Sequence, residues 1–169
     1  MSDYDALLMV NSIQIFVKEL QADLNELLVF DCLFSTCQNM TEVLGKTCAF
    51  CTLPTHRVID ENSTAVTIRD GYPVSPGHTL LIPKRHTASF FDLSAEERGD
   101  LLALLDRAKL TLDNELEPQG YNIGINDGPA AGQTVPHLHI HLIPRFSGDL
   151  ADPRGGVRWV IPDKAKYWP

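Results

Sequence analysis

Hydrophobic and polar positions follow two different rhythms along this chain, and the change falls near residue 47. Before it, Ile13, Phe16, Val17, Leu20, Leu24, Leu27 and Leu28 recur at helical spacing, with Lys18, Glu19, Asp23 and Glu26 between them. Steps of three and four residues place such side chains on one helix face. Residues 1–47 hold no proline and one glycine, Gly45, and the pattern predicts an N-terminal helical extension that packs or stabilises a dimer. From Cys48 onward short β-rich runs take over, and all 11 prolines lie there. Arg57–Ile59 and Thr64–Arg69, around Asp60-Glu61-Asn62-Ser63, predict a hairpin. His78–Ile82 is a third run, entered through Pro76-Gly77 and closed by Pro83. Ser94 and Glu97 form a capping-box pair ahead of a helix whose stripe is Leu101, Leu104, Leu105, Ala108 and Leu112. That helix should end before Pro118. Tyr121–Asn126 and His137–Pro144 are two more strands, and the tail reads as loop with a short strand at Val157–Ile161. The order β-β-β-α-β-β predicts an α+β domain over residues 48–169, a mostly antiparallel five-stranded sheet with one main helix.

Composition narrows the partners. The net charge of −8 argues against broad nucleic-acid or anionic-membrane binding, because both favour a positive field. It leaves room for a phosphorylated small molecule, which one pocket of amides and imidazoles can meet locally. The acidic N-terminus lacks the basic start and small-residue cleavage site of a secretory signal. No apolar run approaches the ~20 residues of a membrane span. With four cysteines and no signal, the expected compartment is the reducing cytoplasm. Cys32 and Cys37 read as core or surface thiols.

The chemistry concentrates in Ala131–Arg145, AGQTVPHLHIHLIPR, where His137, His139 and His141 alternate with Leu138, Ile140 and Leu142. On a strand the three imidazoles share one face at steps of about 6.5–7 Å. Donors of one metal sit roughly 2 Å from the ion, so a compact three-histidine cage is awkward. A neutral imidazole is an effective nucleophile, and a nucleophile with its supporting shell suits the row better. The preceding loop, Asn126 to Thr134, carries two glycines and many amides, which can meet phosphate oxygens. A polar strand face of satisfied histidines explains one such residue more readily than three.

His137-Leu138-His139-Ile140-His141-Leu142-Ile143 resembles the signature of the histidine triad superfamily, and the flanking GQTV and PR resemble its fragile-histidine-triad branch and bacterial relatives. Pro73–His86, PVSPGHTLLIPKRH, resembles the other signature of that superfamily. The resemblance spans about Cys48 to Trp168. It implies a nucleotide-binding α+β fold, a homodimer, and nucleotidyl transfer through a covalent nucleotidyl-histidine. By position it makes His139 the nucleophile, His141 the group serving phosphate and leaving group, and His78 a buried orienter. It places Asp70 on the ribose, Asn126 on the phosphate, and Gln133 and Thr134 in the loop around the α-phosphate. Some relatives bind structural zinc through a CxxC pair and two histidines, which match Cys48, Cys51, His86 and His137 in a Cys₂His₂ set.

The expected activity is hydrolysis at the α-phosphate of dinucleoside polyphosphates or nucleoside phosphoramidates. Two alternatives stand beside it: transfer of the nucleotidyl group to phosphate or sugar phosphate, and a zinc-stabilised nucleotide-binding scaffold with incidental activity. Lys84, Arg85 and Arg145 could counter phosphate charge, with solvated surface the default. Trp159 and Trp168 could stack on a base or a dimer mate, with core packing equally open.

Overall fold

The computed structural model describes residues 48–168. The helical pattern of residues 1–47, with Cys32 and Cys37, lies outside the described residues. Five strands form one sheet: β1 (Val58–Glu61), β2 (Ala65–Arg69), β3 (Thr79–Pro83), β4 (Gly120–Gly124) and β5 (Ile140–Arg145). One long helix, α1 (Ala95–Leu116), separates β3 from β4. The strand order is β1-β2-β3-β5-β4, and every neighbouring pair is antiparallel. The helix carries the chain to the far edge, where β4 forms. β5 then returns between β4 and β3, which puts the histidine-bearing strand inside the sheet. Among the described residues no helix is long and apolar enough to cross a membrane.

Alternation assigns the two faces. Opposite residues of an antiparallel pair share a face, and Leu80 lies opposite His141 while Leu81 lies opposite Ile140. Leu81, Leu138, Ile140 and Leu142 therefore turn one way and join Leu101, Leu104, Ala108 and Leu112 of α1 in the main core. Full burial of each such leucine contributes about 1.5–3 kcal/mol. Ile68, Leu80 and Ile82 turn the other way and form a smaller cluster under Phe50 and Leu53. The triad face is the one without the long helix.

α1 begins as its sequence dictates. Glu97 N–H donates to Ser94 Oγ at 3.1 Å and Ser94 N–H donates to Glu97 Oε2 at 2.8 Å, closing both halves of the capping box. Its end is at Leu116, followed by Glu117 in the left-handed region at φ 50°.

The turn before β3 is tight for a physical reason. Gly77 has φ +81°, and a Cβ there would lie 2.6 Å from Leu112 Cδ2 and Leu116 Cδ1. We expect Gly77→Ala to destabilise the fold by about 1–3 kcal/mol through this strain and overlap, a shift that a urea unfolding midpoint will register.

The tail departs from expectation. Val157–Ile161 is no strand: Gly156–Val160 forms a 3₁₀ helix, followed by a short helix α2 (Pro162–Ala165). Gly155 and Gly156 take φ 90° and 45°, and Arg158 donates to the carbonyls of Lys164 and Ala165. These local bonds close the tail on itself and leave it no ladder partner.

Candidate functional site

The three histidines separate as soon as their partners are considered. β5 begins at Ile140, so only His141 sits in the paired strand, and His137–His139 is an extended lead-in. Leu138 N–H donates to Thr87 O at 2.6 Å, which pins that lead-in to the segment after β3.

His137 is fully buried and faces sulfur. Its Nδ1 lies 3.4 Å from Cys48 Sγ and 3.5 Å from Cys51 Sγ, while His86 Nδ1 lies 3.2 Å from Cys51 Sγ. All four donor atoms fall within 4.8 Å of one another. A tetrahedral zinc with ordinary Zn–S and Zn–N bonds has S···N edges of about 3.5 Å, so the observed spacings match. The tautomer also suits a metal. His137 Nε2 lies 2.8 Å from Pro83 O, an acceptor, so Nε2 carries the proton and Nδ1 turns its lone pair to the thiols. Burial, with Cys48 adjacent, pushes the Cys51 thiol up to about 11, so a cation is what would hold that sulfur as a thiolate. These residues can hold a metal ion.

His139 is fixed in the opposite sense. Its Nδ1 lies 2.8 Å from the carbonyl oxygen of His137, which can only accept, so Nδ1 carries the proton and Nε2 is the free lone pair. Phe50, inside the CxxC loop, sets its ring 5.1 Å from His139 at 66° and 5.8 Å from His137 at 80°. One aromatic side chain thus braces both the sulfur cluster and the free imidazole. Nothing in the sequence pattern singled it out beyond its place between the two cysteines.

His141 packs 4.9 Å from the His139 ring and joins a second chain of contacts. Its Nδ1 lies 3.0 Å from His78 Nε2, and His78 Nδ1 lies 3.3 Å from Asp70 Oδ2 and 3.4 Å from the amide nitrogen of Val74. Asp70 Oδ1 accepts from the Tyr72 amide at 2.8 Å. Burial lowers the His78 pKa, opposed by Asp70. Burial, then the neighbouring His139 and His78, pushes His141 down to about 4.

Beside His141 opens a cleft of about 410 Å³. His141, Asn122 and Asn126 form its polar side, and Ile143, Val157 and Val160 its apolar side. Asn126 makes no side-chain hydrogen bond among the described residues. Gln133 is committed: its Oε1 accepts from Gly128 N–H at 3.0 Å and its Nε2 donates to Ala88 O at 2.8 Å. It braces the loop, while Thr134 is exposed beside it. Asp127, unmarked by the sequence pattern, anchors the other end by accepting from Ser89 Oγ and Phe90 N–H.

The basic residues flanking the motifs are each paired with a carboxylate, Arg145 beside the cleft's Asn122. Lys84 pairs with Glu61, Arg85 with Glu97, and Arg145 with Asp149 and Asn122. Trp159 Nε1 donates to Arg154 O, and Trp168 lies under the Arg154 guanidinium at 4.6 Å, so both indoles serve the tail.

The family model of the HIT domain matches residues 53–148. The chain belongs to the HIT family. A solved zinc-bound histidine triad family protein from Mycobacterium smegmatis is 37% identical, with a TM-score of 0.58 over 64% of this chain and 81% of that one. An uncharacterized HIT-like protein of Mycoplasma genitalium is 37% identical over 103 residues, 59% of this chain and 73% of its own length. Two named enzymes of the family are also similar. The asymmetrical bis(5'-nucleosyl)-tetraphosphatase of Schizosaccharomyces pombe is 40% identical over 80 residues, 47% of this chain and 44% of that protein. An AP-4-A phosphorylase of Mycobacterium tuberculosis is 38% identical over 79 residues, 46% of this chain and 40% of that protein. The HIT chain spans less than half the length of either enzyme.

Proposed function

We propose that this HIT protein is a nucleotide hydrolase. It cleaves dinucleoside polyphosphates or nucleoside phosphoramidates at the α-phosphate, through a nucleotidyl group carried on His139. The observation that carries this reading is the 2.8 Å hydrogen bond from His139 Nδ1 to the His137 carbonyl, which leaves Nε2 as an oriented lone pair next to His141. Nε2 attacks the α-phosphorus, the P–O or P–N bond breaks with its electron pair going to the leaving group, which takes a proton through His141, and the nucleotide rests on nitrogen. Water then attacks the same phosphorus, giving its proton to His141, and the N–P electron pair returns to His139. His141 and Asn126 face the cleft where phosphate and leaving group lie, and exposed Thr134 belongs to the loop that wraps the α-phosphate in this reading. Most of the acceleration comes from positioning and charge stabilisation.

Cys48, Cys51, His86 and His137 hold zinc in this reading, as a structural ion that fixes the CxxC loop and the peptide of His137. The unpaired outer edge of β4 and the exposed Ile123, Leu110 and Leu116 support a homodimer built on that edge.

A second reading passes the nucleotidyl group to phosphate. It is favoured by the AP-4-A phosphorylase relative, which is nearly as similar as the tetraphosphatase. Turnover of diadenosine tetraphosphate and of an adenosine phosphoramidate, with and without added phosphate, separates the two. We expect AMP as a product in both conditions and no stimulation by phosphate. ADP formed only when phosphate is present would replace hydrolysis with phosphorolysis.

A further inference from the structure

The chain of contacts Asp70–His78–His141 has a carboxylate at one end, and in the reading above a phosphate at the other. Both ends are acceptors without protons to give. Each of its three links, Asp70 to His78 Nδ1, His78 Nε2 to His141 Nδ1, and His141 Nε2 to phosphate, needs one proton. Two neutral imidazoles carry two protons between them. We infer that phosphate binding draws one proton from solvent onto the His78–His141 pair, with Asp70 as its counter-ion.

The free protein is built to start one proton short. His78 Nδ1 lies between a donor and an acceptor at nearly equal range, the Val74 amide nitrogen at 3.4 Å and Asp70 Oδ2 at 3.3 Å. In the neutral state Val74 N–H points into the Nδ1 lone pair. In the cationic state Nδ1–H turns to Asp70. Burial holds both imidazoles below their ordinary value, His141 at about 4, so the unliganded pair is neutral at neutral pH. His78 takes the charge, because Asp70 is the one group that favours it there.

The surroundings leave the pair as the local source of positive charge. The titratable groups facing it are Asp70 and His139, while β4 offers neutral Asn122, the loop after it Asn126, and the tail Gly156, Val157 and Val160. Lys84, Arg85 and Arg145 are each paired with a carboxylate, and Arg145 also donates to Asn122 Oδ1 at 2.6 Å. A polyphosphate arriving here otherwise meets uncharged imidazole and amide beside a carboxylate.

The inference rests on the proposed placement of phosphate at His141, and calorimetry tests the two separately. The probe is a methylene-bridged, non-hydrolysable diadenosine tetraphosphate, which has no group titrating between pH 7 and 8. Binding heats in buffers of different ionisation enthalpy give the number of protons taken up. We expect close to one, with affinity falling about tenfold per pH unit across this window. Asp70→Asn supplies an amide N–H to His78 Nδ1, so two protons then satisfy all three links. Its uptake should fall to near zero while binding persists. Wild-type binding with no uptake overturns the inference and leaves the placement of phosphate intact, as does full uptake in Asp70→Asn. No binding heat, together with no turnover of the substrate panel, overturns that placement and the inference with it. The wild-type count decides the matter even where Asp70→Asn folds poorly.

Discussion

His139→Asn is expected to lose turnover by on the order of 10⁴-fold or more, with nucleotide affinity kept within a few-fold. The asparagine amide can still donate to the His137 carbonyl, so the lead-in to β5 keeps its shape. What disappears is the Nε2 lone pair. A loss confined to kcat separates a missing nucleophile from a damaged pocket, which would raise KM as well. His139 also lies against Phe50 and His141, so the variant's melting temperature belongs beside its kinetics. Near-normal turnover in a folded variant would move the covalent step to another residue.

Cys48→Ser carries the other large effect. Cys48 is buried, and its sulfur lies 3.4 Å from the fully buried His137 Nδ1. Replacing it removes one corner of the donor set and leaves a buried imidazole nitrogen facing a poorer ligand. We expect zinc content to fall from about one ion per chain to well below that. The melting temperature should drop by on the order of 10 °C, the shift for a loss of ~2 kcal/mol in a domain of this size. Because Phe50 lies between the two cysteines and against His139, kcat should fall with the metal although no ligand touches phosphorus. A wild-type protein that takes up no zinc, or a Cys48→Ser variant that melts at the temperature of the zinc-loaded wild type, would remove zinc from the account.

The parts of this site that the sequence displayed are those encoded at short spacing. The capping box, the stripe of α1 and the alternation around His141 are local patterns, and each formed as its spacing required. The grouping of Cys48 and Cys51 with His86 and His137 followed from the resemblance to zinc-binding relatives, and the fold brings their donor atoms together. What stayed hidden depends on backbone groups, which leave no mark in composition. The Pro83 carbonyl sets the His137 tautomer and the His137 carbonyl sets that of His139. The roles of the basic residues were equally hidden, because Arg85 and Arg145 find carboxylates that periodicity cannot place. Val157–Ile161 has the composition of a strand, yet two positive-φ glycines and the Arg158 bonds curl it into a 3₁₀ turn beside the cleft. The contact of Asp70 Oδ2 with His78 was also hidden, because the resemblance gives that residue only a place on the ribose.

The central claim is that the nucleotide passes through a covalent intermediate on His139, and the stereochemical course at phosphorus tests it most directly. Each in-line displacement inverts the α-phosphorus, so two in succession restore it. A substrate chiral at the α-phosphorus through sulfur and oxygen isotopes, cleaved in isotopically labelled water, reports the outcome in its nucleoside monophosphate product. Net retention is the expected result. Net inversion would mean that water attacks the α-phosphorus directly, and His139 would lose its role as nucleophile.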